Sequence, residues 1–408
     1  ADTLLVTEPK YTNDIHIIED SREGWVNSVR ILLDGFLLGG RVPNFDYSAI
    51  REYGTPIKGF GGTSSGAGPL KELHDSLRDL YTPIIGLRID SVTIVDTENL
   101  IGRCVVAGNV RRSAALALGQ ADDLEYLQMK NDQEKLYSHR WGSNNSFHAI
   151  VGMDYEWYAE QSKRNGEPGY IWLGNARTRG RFKDAPRYDD INVAGFNPCV
   201  EQQLEDAELC CLVETFPAKH DDYDDYMKTL KIAYLYGKTI TLSNTHWPET
   251  NAKMLKNRRI GLSQSGVVQG FNKFGRRTLL DWCDRAYDAV KELDEEYSNW
   301  LCIPKSVRMT SIKPSGTVSL LNGSTPGIHF PEDEYYIRRI RFSVDSDLLS
   351  VLSEAGYPIE KDAYSPNTMV VSFPVHEDLF FKGKRQVSMW EQLEIAAQYQ
   401  HYWADNSV

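Results

Sequence analysis

The segment Asn197-Pro198-Cys199-Val200-Glu201 places a thiol and a carboxylate two residues apart, directly after a proline. Cys210 follows inside Glu208-Leu209-Cys210-Cys211-Leu212. A thiol, an acid/base group and a second thiol in one short stretch suit redox or radical work on a polar substrate. Pro198 fixes its own φ and biases Asn197 toward an extended backbone. With Gly195 just upstream, this composition predicts a tight loop presenting Cys199 and Glu201, not a helix interior. If the loop turns at Val200, thiol and carboxylate face one substrate, the carboxylate acting as general base or acid. Asn197 offers an amide donor and acceptor to a hydroxyl. Cys210 can pair with another thiol to supply two electrons. The plain alternative is a loop with a buried cysteine, and spacing alone does not choose between the two.

Three further segments expose backbone. In Lys313-Pro314-Ser315-Gly316-Thr317-Val318-Ser319, small residues and hydroxyls in a turn make a candidate phosphate cradle over Pro314, Ser315, Gly316 and Thr317. Ser/Gly-rich turns are common, so alone this is a weak signal. Gly59-Phe60-Gly61-Gly62-Thr63-Ser64-Ser65-Gly66 can approach a ligand closely, but it lacks the Gly-Lys-Ser/Thr of a Walker A loop. Its alternative is an ordinary surface loop. Gly108-Asn109-Val110-Arg111-Arg112-Ser113 opens on a glycine and carries adjacent arginines, which suit phosphate or base contacts. Two arginines are more often surface charge.

These segments need a scaffold, and 408 residues suffice for one large or two medium domains. Hydrophobic content of 41% and charged content of 25% are ordinary for a soluble globular protein. A formal net charge of −12 argues against non-specific nucleic-acid binding. No apolar run reaches the length of a membrane span, and Ala1-Asp2-Thr3 does not open a signal peptide. Six cysteines without a CxxC or Cys/His zinc spacing point to a cytoplasmic, thiol-containing enzyme with no structural metal. Cys283 and Cys302 read as small buried hydrophobes. Helical periodicity covers Arg22 to Leu38, Leu70 to Leu80, Asp222 to Tyr236, Leu279 to Trp300 and Met389 to Trp403. Short β-branched runs predict strands at Ile15 to Ile18, Tyr170 to Leu173, Thr239 to Leu242, Val318 to Leu321 and Thr368 to Phe373. Helices alternating with short buried strands make an α/β fold, with open sheet and barrel not separable by periodicity.

Taken in order, these segments resemble the catalytic subunit of ribonucleotide reductase, most closely the monomeric adenosylcobalamin-dependent (class II) ribonucleoside-triphosphate reductases. The resemblance spans nearly the whole chain. It takes in Ile18 to Trp25, Gly59 to Gly66, Val105 to Ala114, Trp141 to Ser146, Asn165 to Gly169 and Asn197 to Glu201. It continues through Asn257 to Gly261, Lys313 to Thr317, Tyr336 to Arg341 and Tyr402 to Asn406.

The resemblance implies a ten-stranded α/β barrel with a central finger loop. Residues 1–408 would form one catalytic barrel core with no clear internal boundary. The effector region would cover about 14–120 and the finger loop about 195–212. It implies that Cys199 becomes a thiyl radical and abstracts the substrate 3′-hydrogen. Glu201 takes the 3′-hydroxyl proton and Asn197 hydrogen-bonds the substrate hydroxyls. Cys210 is one of two cysteines oxidised as the 2′-hydroxyl leaves. Pro314 to Ser319 holds the substrate phosphates. Asp20, with Ser21 beside it, contacts the ribose of a deoxynucleotide (dNTP) effector. Gly108, Asn109, Arg111 and Arg112 lie in the loop that relays effector identity. The cofactor is adenosylcobalamin, with no corrin contact assignable to a residue here. The reductant is of thioredoxin type, and neither nucleic acid nor membrane is a partner.

The departures carry expectations too. The family's other reducing cysteine matches nothing upstream of Asp20, and Cys104 lies where relatives have none. The C-terminal cysteine pair has no counterpart. Asn406-Ser407-Val408 stops where relatives continue into further barrel strands. The resemblance therefore implies a core fragment, incomplete at both ends and unable alone to complete multiple turnovers. A class I type reductase with a separate metal-containing radical generator, and a catalytically silent nucleotide-sensing module, are the other readings. Intact Cys199, Glu201 and Cys210 argue against the silent module.

Overall fold

The computed structural model describes residues 4–57, 62–107, 112–363 and 368–407. It divides into two compact units, the first formed mainly by residues up to Ile171 and the second mainly by residues from Trp172 on. The class is mixed α/β, as the alternation of patterns predicts.

In the first unit, strand Lys10–Ile17 pairs in parallel with Arg41–Asp46, and helix Arg22–Leu38 connects them. The helix begins where Ser21 accepts a hydrogen bond from the Gly24 N–H at 3.0 Å. It buries Gly24, Ser28, Leu32 and Phe36, one face at four-residue spacing. Gly35 lets the helix lie directly on the following strand: a Cβ there would meet Val42 Cγ2 at 2.4 Å. Leu70, Leu73, Leu77 and Tyr81 of helix Gly68–Tyr81 close the same core with Ile18 and Val42. A second parallel sheet orders Ala115–Gly119, Ser143–His148 and Gly169–Ile171.

In the second unit, strand Leu212–Thr215 pairs in parallel with Gly261–Gln264. Leu262 bridges Thr310 in parallel, and Ser311–Ile312 pairs in parallel with Asn406–Ser407. Four short parallel segments thus lie side by side. All four residues of Gly261–Gln264 are buried, as in a parallel sheet covered on both faces. Helices Tyr223–Ile240, Arg276–Leu301 and Met389–Tyr402 supply Tyr226, Leu230, Tyr234, Tyr287, Val290 and Tyr399 to one core. Among the described residues the hydrogen-bonded ladders form separate sheets of two or three strands. Among the same residues, no helix is long and apolar enough to cross a membrane.

Two strand expectations are corrected. Thr239 and Ile240 end the helix Tyr223–Ile240, followed by a turn. Burial at Tyr226, Leu230, Tyr234 and Lys238 carries the helical period to that point, overriding the β-branched residues. Lys238 is itself fully buried and donates to Asp294 at 2.6 Å. Val318–Asn322 is a 3₁₀ turn, because the Ser315 hydroxyl accepts from the Ser319 N–H at 3.2 Å and Gly323 ends it at φ 67°. A cysteine is corrected as well. Cys283 is buried as expected, but Cys302 is exposed in a left-handed conformation after Leu301, so it packs no core.

Candidate active site

Gly195–Phe196 and Gln203–Leu204 pair antiparallel, and Cys199 lies in the connection between them. The turn is closed by Asn197. Its backbone N–H donates to the Gln202 carbonyl at 3.0 Å, and its carbonyl accepts from the Val200 N–H at 2.8 Å. Its side-chain Oδ1 accepts from the Gln202 N–H at 2.9 Å. The Asn197 Oδ1 is therefore engaged within the loop, and Nδ2 is the part of the amide left to donate outward. The chain does turn at Val200, at φ 67°. A β-branched residue in that region costs on the order of 1–3 kcal/mol and needs support from its surroundings. Support comes from the parallel strands. Asn406 Nδ2 donates to the Val200 carbonyl at 2.6 Å, and Ser311 Oγ donates to the Glu201 carbonyl at 3.0 Å. Asp405, next to Asn406 in the chain, braces the residues just before Ser311: its carboxylate accepts from the Met309 N–H at 2.7 Å, the Thr310 N–H at 3.2 Å and the Tyr287 hydroxyl at 2.7 Å.

Glu201 is fully buried. Its Oε1 lies 3.4 Å from Lys313 Nζ, while Oε2 has no hydrogen-bond partner among the described residues. Cys199 is half-buried, and burial first, then the Glu201 carboxylate, push its thiol above the ordinary 9.0, with Lys313 pulling the other way. Cys210 is exposed at its surface, yet enough protein surrounds the sulfur that desolvation raises its thiol as well. Glu201 and the Cys199 sulfur add to that rise, and Lys313 opposes it. Two thiols, one carboxylate and one ammonium thus act on one another electrostatically. Both thiols are held as S–H at neutral pH, the form that gives up a hydrogen atom.

Gln202 ties the two cysteine segments together. Its Oε1 accepts from the Cys211 N–H at 3.1 Å and its Nε2 donates to the Cys211 carbonyl at 3.4 Å. The intervening loop is pinned by charge. Fully buried Arg259 donates to Asp190 at 2.7 and 2.8 Å and to both Glu208 oxygens at 3.1 Å. Glu208 also accepts from the Glu205 N–H at 2.8 Å and from Asn257 Nδ2 at 3.0 Å. Lys253 and Lys256 hold the Glu205 carboxylate at 2.7 and 2.8 Å. Such paired, hydrogen-bonded charges fix a loop even where their net stabilisation is small.

Lys313 leads into the segment Pro314 to Thr317. Its N–H donates to buried Ser263 Oγ at 2.8 Å. Ser315 is buried with its hydroxyl turned toward Ser319, whereas Gly316 and Thr317 are exposed. The element after them is five residues of 3₁₀ turn, shorter than a helix N-terminus that cradles an anion. In the first unit, Asp20 Oδ2 accepts from Arg51 Nε at 2.6 Å, and Ser21 caps the Arg22–Leu38 helix. Arg112 is exposed, while Gly108, Asn109 and Arg111 lie outside the described residues. The structure therefore brings Asn197, Cys199, Glu201 and Cys210 together and adds Lys313. The sequence reading missed Lys313, Gln202, Glu208 and Arg259 as parts of the site. Lys313 opens a segment already singled out, but nothing in the sequence links it to Glu201, 112 positions away.

The fold and site are those of a mixed α/β protein with two free thiols and a buried carboxylate about a supported turn. Residues 6–80 match the family model described as "B12-dependent ribonucleotide reductase, insertion domain". The chain is 51% identical over 397 residues to a probable adenosylcobalamin-dependent ribonucleoside-triphosphate reductase of Dictyostelium discoideum, covering 97% of the chain and 52% of that protein. It is 48% identical over 405 residues to the adenosylcobalamin-dependent ribonucleoside-triphosphate reductase of Euglena gracilis, covering 98% of the chain and 55% of that protein. A crystal structure of a B12-dependent (class II) ribonucleotide reductase superposes with a TM-score of 0.84 at 34% identity, covering 98% of this chain and 60% of that one. The chain belongs to the B12-dependent ribonucleotide reductase family. It spans about half the length of the curated relatives it matches.

Proposed function

We propose that the full-length protein reduces ribonucleoside triphosphates to 2′-deoxyribonucleotides through a radical on Cys199, with adenosylcobalamin as cofactor. The observation that carries this reading is the cluster of Cys199, Glu201 and Cys210 around a supported turn, facing Lys313. The site chemistry fits the cofactor: Cys199 is half-buried and kept as a thiol, a hydrogen-atom donor and not a thiolate nucleophile. When bound, adenosylcobalamin supplies the radical initiation that side chains cannot.

Once Cys199 has lost its hydrogen atom, the sulfur takes hydrogen from C3′ of the ribose. Glu201, whose Oε2 has no partner among the described residues, accepts the 3′-hydroxyl proton, and Asn197 Nδ2 donates to a ribose hydroxyl. The 2′-oxygen leaves as water. Cys210 and a second thiol of the full-length protein give up two electrons and two protons, which leave with the 2′-oxygen as water and form the new C2′–H bond, and become a disulfide; Cys199 then returns its hydrogen atom to C3′ and Glu201 its proton to the 3′-oxygen. A thioredoxin-type dithiol restores the pair. Buried Asn197, Glu201 and Gln202 shield one side of the turn from water, which would otherwise quench the radical. Pro314 to Thr317, chiefly the exposed Gly316 and Thr317, receive the phosphates. Asp20, Ser21 and the stretch from Gly108 to Arg112 serve a dNTP effector within a region of about 14–120. In the whole protein the parallel strands belong to a ten-stranded α/β barrel with residues of about 195–212 as its finger loop. The protein works in the cytoplasm.

The test is turnover of the full-length protein with adenosylcobalamin, a ribonucleoside triphosphate and a dithiol. Deoxynucleotide forms with the wild type, and Glu201→Gln lowers kcat about 10²- to 10⁴-fold while nucleotide still binds. Unchanged turnover in E201Q removes Glu201 from the mechanism. Turnover that needs a metal-loaded partner and ignores adenosylcobalamin replaces this reading with a class I one.

A further inference from the structure

We propose that Lys313 is a positioning residue for Glu201: its ammonium holds one carboxylate oxygen and leaves the other facing the substrate hydroxyl. The inference rests on the functional reading above but adds a residue to it.

Glu201 has no exposed side-chain surface, and Lys313 is 27% exposed, so the cation reaches inward to the carboxylate. The two carboxylate oxygens differ. Oε1 is 3.4 Å from Nζ, and Oε2 is buried with no partner among the described residues. A buried carboxylate held on one side only is oriented and still has an acceptor to offer. The Lys313 backbone cannot drift. Its N–H is bound to Ser263 Oγ at 2.8 Å, and Ser263 is fully buried. Its carbonyl packs so closely on Gly327 that a Cβ there would stand 2.4 Å away. The carboxylate's own backbone is held by Ser311. Both ends of the pair are thus anchored on the parallel strands and the turn that follows them. Lysine suits this part because an ammonium is a compact charge on a flexible stem, able to follow the carboxylate as substrate enters.

The test uses the full-length protein. Lys313→Met keeps the stem and removes the charge, and Lys313→Arg keeps the charge. K313M lowers kcat about 10- to 100-fold with KM for the ribonucleoside triphosphate within about threefold, and K313R recovers most of the loss. E201Q with K313M is no slower than E201Q alone, because the lysine acts through the carboxylate. A KM raised about tenfold or more with kcat unchanged overturns the proposal and makes Lys313 a phosphate contact. A second readout needs no turnover. The groups that face Cys199 are Glu201, Lys313 and Cys210. Removing the cation therefore moves the pH midpoint of Cys199 alkylation upward in a K313M protein of native circular dichroism. An unmoved midpoint overturns the proposal. Should the wild type reduce no nucleotide at all, the functional reading falls, and the alkylation shift still decides where the Lys313 charge acts.

Discussion

A cysteine that works by giving up a hydrogen atom has to stay protonated until it reacts. Burial and the Glu201 carboxylate raise both the Cys199 and the Cys210 thiols, so the fraction present as thiolate at pH 8 is below that of an ordinary cysteine. Iodoacetamide consumes thiolate, so alkylation of either residue is slow at neutral pH and rises with a midpoint above 9.0. Mass spectrometry of the two cysteine peptides across pH measures this, and a midpoint below 9.0 at Cys199 contradicts it. Asn197, Cys199 and Glu201 were legible in the sequence because their chemistry is local: a proline, a thiol and a carboxylate within five positions, with the Cys210 thiol in the segment that follows. Lys313 was not, because it meets Glu201 from 112 positions away. Arg259, 51 positions from Glu208, was hidden for the same reason.

At the scale of elements, the turn that carries Cys199 owes its shape to strands remote in sequence. Asp405 holds the Met309 and Thr310 amides and the Tyr287 hydroxyl, and the neighbouring Asn406 and Ser311 hold the turn. Asp405→Ala leaves those buried donors unpaired and lowers stability by about 3 kcal/mol. Urea unfolding of wild type and D405A tests this, and a loss under about 1 kcal/mol would show that water or another acceptor replaces the carboxylate. The long helices were legible because four-residue burial at Leu32 and Phe36, or at Leu230 and Tyr234, leaves a clear period. The short strands were not reliably so. Thr239 to Leu242 and Val318 to Leu321 carry the composition of strands, but a continuing buried helix face claims the first and the Ser315 hydroxyl the second.

At the scale of the molecule, the α/β class followed from the alternation of elements, whereas sheet order depends on pairings such as Leu262 with Thr310 that no local pattern announces. Family membership rests on matches over 97% of the chain, and those matches span only 52% of the relative concerned. The central claim is that Cys199 is the thiol whose hydrogen atom enters the reaction. It is tested most directly by mixing the full-length protein with adenosylcobalamin tritiated at its 5′-carbon and a nucleotide, then measuring tritium released to water. The account predicts nucleotide-dependent release by the wild type and none by Cys199→Ser, with nucleotide binding retained in both. Release that persists in C199S, or none from a nucleotide-bound wild type, would contradict it.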